Sequence, residues 1–249
     1  MGPLVLHDNR LRDAVPVASS TAAGFDVLNL RDMRDFTWWK PAALPATVTV
    51  DSGSAKNADS LAIYGHELGS KGVTVELRKS TDNFAANDVL VDTHAPTDDK
   101  PILRTFTSTS SRYWRIRVLN GTAPAIAIAL PGVKLEIPTG GMEQPFDPIG
   151  RNLKSQYNRS IAGRGLGKVI NYREWKARLE FKHLTWTWVR DTWRSAAELW
   201  LESEPWLFAW NPDSYPKETY HVAIDGEWDA PHRSGSRCDL RVPVVGLIP

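Results

Sequence analysis

Cysteine is almost absent: Cys238 is the single one. A lone thiol excludes an internal disulfide framework and any cysteine-based zinc knuckle. Long apolar runs are missing too. No stretch approaches the roughly 20 residues that a membrane-spanning helix needs, and the opening MGPLVLHDNRLRDAV is too polar to read as a signal peptide. Membrane insertion is therefore not expected, and the chain reads as made in a reducing cytoplasm. An excess of one charge is also lacking, with 30 basic against 29 acidic residues, so no nucleic-acid partner held by bulk charge is expected. The six histidines (His7, His66, His94, His183, His221, His232) show no spacing that would hold zinc. No G-x-S-x-G elbow occurs. Asp225 and Glu227 form the best acid pair, and a hairpin turn around Gly226 explains them better than glycoside cleavage. No cofactor, no metal and no catalytic activity are expected.

What the chain does have is tryptophan, 11 in all, with Trp38, Trp39 and Trp114 before Pro138 and eight after it. That shift coincides with PTGGMEQPFDPIG (Pro138 to Gly150), a Pro/Gly-rich stretch unsuited to regular pairing. The expected organisation is a β-domain over residues 1–138, a linker and Gly-rich arm over 139–167, and a second mainly-β domain over 168–249.

Alternation marks the first domain as all-β. ATVTVDSGS sets Val48 and Val50 against Thr47, Thr49 and Asp51 and is expected to end at its Ser-Gly turn. SLAIYGH is more continuously apolar, which suits a strand covered on both faces. GVTVELRKSTD, SRYWRIRVLNG and VKLEIP alternate in the same way, and Asn120-Gly121 supplies a turn. Strands separated by turn signals, with no long helix, indicate a sandwich or jelly roll.

The order ASSTAAGFDVLNLRD, FTWWKP, ATVTVDSGSAKNADSLAIYG, VTVELRKSTDNF, RYWRIRVLNG and VKLEI resembles the discoidin, or galactose-binding-like, jelly roll over about residues 15–138. The family's "VDLG" element is Val50-Asp51-Ser52-Gly53 here, with Ser for the usual Leu. The resemblance implies that Trp39 falls at the tryptophan that seals one end of the barrel and that Trp114 is a core residue. Packing is the first reading of both, since large aromatics are mostly buried. Trp38 should point the opposite way from its neighbour in an extended segment. With Lys40 and His66 it makes the candidate glycan-binding set.

In the second half, G-R-G-L-G (Gly163 to Gly167) lacks the spacing of a phosphate-binding loop. A hairpin or arm is the better reading, with Arg159, Arg164 and Lys168 gripping a neighbouring subunit. The next strand alternates Trp175, Ala177, Leu179 and Phe181 with Lys176, Arg178, Glu180 and Lys182. Its charged face must be wet or paired, so Lys176 and Arg178 join the candidate interface residues. A helix is expected from about Asp191 or Thr192, carrying a stripe of Trp193, Ala196, Ala197, Trp200 and Leu201, and ending at Pro205. PWLFAW and two further strands follow it. Eight tryptophans exceed what one small core needs, which places some of them in interfaces.

This succession resembles the tail-tube-like fold of bacteriophage distal-tail and tail-tip hub proteins. The resemblance implies a virion structural subunit: a ring of this chain, trimeric or hexameric, contacting the tail tube and hub proteins. The galactose-binding-like domain would then lie outside the ring, facing host glycans. The alternative is a host-surface glycan-binding adhesin of the virion.

Overall fold

A computed structural model describes residues 1–138 and 147–247. Residues 139–146, the middle of the expected linker, lie outside the described residues. Among the described residues the chain is mainly β, with antiparallel pairing between the strands given below, two short 3-10 turns (Arg10–Arg12 and Val27–Arg31) and one longer helical segment. It divides into two compact units, residues 3–137 with 206–219 and residues 138–205 with 220–249.

The first unit contains β1 (Leu4–Asn9), β2 (Val17–Ala18), β3 (Ala46–His66), β4 (Thr74–Ser80), β5 (Val89–His94), β6 (Ile102–Leu119) and β7 (Ile126–Glu136). The first half of β3 pairs with β2 and with the second half of β6, which pairs onward to β4, and β4 to β5. The second half of β3 pairs with the first half of β6 and with β7, and β7 with β1. Register shifts between Asp51 and Lys56 and between Ala58 and Ser60 mark where β3 changes course. The expected Ser-Gly strand end is thus an irregularity within a single 21-residue strand. Gly53 takes the positive φ that the irregularity requires.

Alternation buries Ala46, Val48, Val50, Val75, Leu77, Trp114, Ile116 and Val118 in one cluster with Leu61, Ile63, Ile102, Ile126 and Ala129. Both halves of β3 and of β6 therefore feed one core, as in a sandwich. On the other side of the second half of β3, Ala62 and Tyr64 join Leu4, Leu6, Ile128 and Leu130. That is why SLAIYGH carries Leu61, Ala62, Ile63 and Tyr64 in a row: both of its faces are covered.

The strand β10 (Trp206–Ala209) differs from the expected organisation. It pairs with β1, in the register Leu4 to Ala209 and Leu6 to Leu207. Leu207 and Ala209 complete the cluster around Leu4 and Leu6, so PWLFAW serves the first unit rather than the second. Hydrophobic cover for β1 is the physical reason.

The second unit contains β8 (Asn152–Arg159), β9 (Gly165–Thr185), β11 (Thr219–Ile224, from Tyr220 on) and β12 (Arg237–Leu247). β8 and the first half of β9 form a hairpin. The second half of β9 pairs with β12, which pairs with β11. The helical segment spans residues 186–201 and starts earlier than expected, because the Thr185 side chain accepts the Trp188 amide and caps it. Two π-type turns, Val189–Trp193 and Ala197–Leu201, interrupt it. Each adds a residue to a turn and rotates the stripe beyond it. Val189, Trp193, Ala196, Ala197 and Leu201 are consequently buried while Trp200 is exposed.

Most of the later tryptophans have partners within their own unit. Trp175 stacks on Tyr220 at 4.6 Å, Trp193 meets Trp228 edge-on at 6.2 Å, and Trp210 stacks on Tyr215 at 5.4 Å. Of the eight, Trp200 is the one among the described residues with an exposed side chain. Packing within the units thus takes up most of the tryptophan surplus, with Trp200 left at the surface.

Candidate functional sites

Two places collect the side chains singled out in the sequence. The first is the loop end of the first unit, built by residues 19–45. Trp39 is fully buried there, bridged through both backbone groups to Ile126 at 2.9 Å, and its Nε1 donates to Thr21 Oγ1 at 3.3 Å. It packs in the sandwich core with Trp114, so both aromatics act as packing residues. Trp38, one residue earlier, is 39% exposed, with its carbonyl accepting from the Asn29 side chain at 2.8 Å. Lys40 is half-buried, its Nζ 5.9 Å from the centre of the Phe25 ring. Phe36 and Leu28 add exposed apolar surface in the same run of loops. An exposed indole suits the stacking of a sugar ring, and the Lys40 ammonium is a donor for one hydroxyl.

His66 does not belong to that set. It is 5% exposed, its Nδ1 accepts from the Leu68 amide at 3.2 Å, and its Nε2 bonds the Lys100 carbonyl at 2.8 Å. Nδ1 as acceptor makes Nε2 the protonated nitrogen, so the ring is neutral and has no free edge. Burial lowers its pKa, in keeping with that state, against opposing pulls from the Lys100 carbonyl and Asp99. Ser70 N donating to Asp99 Oδ1 at 2.9 Å and the Lys217–Asp98 pair at 2.6 Å tie down the same loops.

The second place is the hairpin of β8 and β9. Every residue of β8 is exposed, as are the first nine of β9. Leu153, Tyr157, Leu166, Val169, Ile170 and Tyr172 present apolar side chains on it, and Ile161 does so at its turn. From Arg151 to Glu174 it carries six basic residues, Arg151, Lys154, Arg159, Arg164, Lys168 and Arg173, and one acid, Glu174. Ser160 and Arg164 close the turn through a 2.8 Å backbone bond, and the Arg159 guanidinium lies 5.4 Å from the Tyr157 ring centre. Arg159, Arg164 and Lys168 therefore share one basic, apolar arm. Lys176 and Arg178 sit further along β9, where they face Asp225 at 2.8 Å and Asp229 at 3.6 Å. The expected acid at Asp225 is thus a salt-bridge partner. Glycines and bases reveal the arm in the sequence, but its row of apolar side chains does not stand out there.

No protein-family profile and no curated protein matches the sequence. Solved structures similar to about half of this chain include carbohydrate-binding modules and glycoside hydrolases of family GH29. A chitosan-binding module from a chitosanase/glucanase of Paenibacillus sp. IK-5 is 21% identical, matched over 50% of this chain and 98% of its own, with a TM-score of 0.43. The family 32 module of Clostridium perfringens NanJ, in complex with galactose, is 16% identical over 51% of this chain and 96% of its own, with a TM-score of 0.42. The C. perfringens module CpGH89CBM32-5, in complex with GalNAc-β-1,3-galactose, is 16% identical over 50% and 99%, with a TM-score of 0.43.

Proposed function

We propose that the chain is an assembly subunit of a bacteriophage tail tip, in which the β8/β9 arm joins copies into a ring and the first unit forms an outer carbohydrate-binding-like domain. One observation carries this reading: the hairpin exposes apolar side chains on strands with an open edge. A lone two-stranded hairpin is marginal in water, and an open edge is a template for pairing with another chain. A neighbouring copy that covered Leu166, Val169 and Tyr172 would resolve both problems. Its acidic groups would meet Arg159, Arg164 and Lys168. Closed rings are the economical outcome of such head-to-tail contacts. The reading contains no catalytic step, and it locates the protein in the virion.

Light scattering on the full chain across a concentration series, with imaging of the large species, tests it. The chain should form a closed ring, and replacing residues 155–168 by a short Gly-Asn turn should leave a folded monomer. A wild-type monomer at every concentration, or a ring that survives the replacement, overturns the proposal.

A second reading, a glycan-binding adhesin, is favoured by the exposure of Trp38, two residues before Lys40. Exchanging both for Ala should abolish retention on a glycan array while leaving the ring intact. Unchanged retention would remove the loop end as a glycan site.

A further inference from the structure

A groove of about 410 Å³ lies on the first unit, lined in part by Val17, Thr47, Thr49, Asn83, Tyr113 and Arg115, with Asp51, already paired with Arg112, at its side. Its floor follows from the alternation of the sheet. Val48, Val50, Trp114 and Ile116 point into the core, so Thr47, Thr49, Tyr113 and Arg115 point outward. Pairing sets Thr49 opposite Arg115 and Asp51 opposite Tyr113. Exposed Val15 and Val17 supply an apolar wall.

Arg115 is the unusual residue. Its Nε donates to Thr49 Oγ1 at 2.8 Å, and its guanidinium lies 3.6 Å from the centre of the Phe84 ring. Phe84 is itself fixed by a tight turn. Its amide donates to Ser80 Oγ at 2.8 Å, while the Asp82 carboxylate accepts the amides of Ala86 and Asn87 at 2.9 and 3.0 Å. Neighbouring arginines are all neutralised: Arg78 by Glu76 and Asp88, Arg112 by Asp51, and Arg117 by Glu76. Among the described residues no carboxylate pairs with Arg115. The result is a half-buried cation, held rigid on one edge and one face, with its terminal N–H groups turned to no carboxylate. Burial lowers its pKa, Asp88 opposes that, and Arg117 and Arg78 reinforce it, so an added anion would stabilise the charge.

A guanidinium fork held in this way matches a carboxylate, and preorganisation reduces the entropy lost on binding. The hydroxyl of Thr47 and the amide of Asn83 suit ring hydroxyls, and Val17 with the Tyr113 ring suits the apolar face of a pyranose. The geometry points to an acidic sugar as the ligand: a uronate whose carboxylate sits on Arg115 and whose hydroxyls meet Thr47 and Asn83. The inference shares the glycan-binding reading of the first unit but does not depend on the Trp38 loops.

Titration calorimetry on the full chain tests it with a glucuronate-containing oligosaccharide, its neutral glucose counterpart, acetate and inorganic phosphate. Glucuronate should bind, and the neutral counterpart should bind at least tenfold more weakly. Arg115→Gln should lose roughly ten- to a hundredfold in affinity, as expected for a hydrogen bond to a charged group. Thr47→Val, which keeps the strand's shape, should weaken binding severalfold, and it keeps the experiment decisive if Arg115→Gln does not fold. Trp38→Ala should leave glucuronate binding unchanged, which separates this groove from the loop end. Equal binding of the neutral sugar, wild-type affinity in both groove variants, or competition by acetate or phosphate as strong as by glucuronate overturns the proposal.

Discussion

Trp38 and Trp39 are adjacent and chemically identical, so replacing each by Ala asks one question about burial alone. Trp39 has no exposed surface and packs in the sandwich core. Truncating a buried tryptophan costs about 3–5 kcal/mol, through lost transfer energy and the cavity left behind. The Nε1–Thr21 bond adds little, because Thr21 is exposed and its hydroxyl can turn to water. The backbone bridge to Ile126 involves no side-chain atom and survives the exchange. Trp38 is already partly in water, and its truncation should cost about 1 kcal/mol or less. The assay is native-state hydrogen exchange, read on peptides from β3 and β6, which reports the opening of the first unit. Trp39→Ala should lower protection there by roughly two to three and a half orders of magnitude, and Trp38→Ala by no more than about fivefold. Equal losses for the two variants would refute the reasoning, as would a loss below about tenfold for Trp39→Ala.

Two further outcomes are expected. Burial lowers the pKa of His7, of His66 and of His94, so the unfolded chain binds more protons than the native one below the ordinary histidine value. The stability they contribute is complete above about pH 6.5 and is lost as the pH falls through their depressed native values. Urea midpoints should drop on acidification from pH 7 to 5, and His66→Asn should flatten that slope; an unchanged slope would count against it. Gly132→Ala should cost about 1–3 kcal/mol, because an added Cβ would lie 1.6 Å from the Asp8 carbonyl, just past the register shift of β1 against β7. A urea midpoint equal to the wild type would show that the strands can part there at no cost.

Legibility in the sequence follows the range of the interaction. Period-two patterns reveal β4, the second half of β6 and the second half of β9, because one face of each is core and the other wet. Asn120 and Gly121 both have positive φ, as the turn chemistry demands. LVLHDN is not legible as a strand, since its cover comes from Trp206–Ala209, some two hundred residues away. Nor is the rotation of the tryptophan stripe by π-type turns, which no 3.6-residue count contains. At the loop end Trp38 and Trp39 separate as strand alternation requires. His66 falls outside its expected set because its partners, the Lys100 carbonyl and the Leu68 amide, are backbone groups that a sequence does not display. The Arg115 groove is hidden for a similar reason. Arginines on a wet strand face look alike until their carboxylates are counted in space.

The return of Trp206–Thr219 to the first unit has a consequence for biosynthesis. The cluster around Leu4 and Leu6 lacks Leu207 and Ala209 until those residues leave the ribosome. By then the arm, β9 and the helical segment have already been made. At about 5–20 residues per second, β1 waits several seconds with one edge uncovered. The N-terminal unit is thus the first to begin and not the first to be finished, and a chain cut after residue 138 would leave it permanently short of a strand.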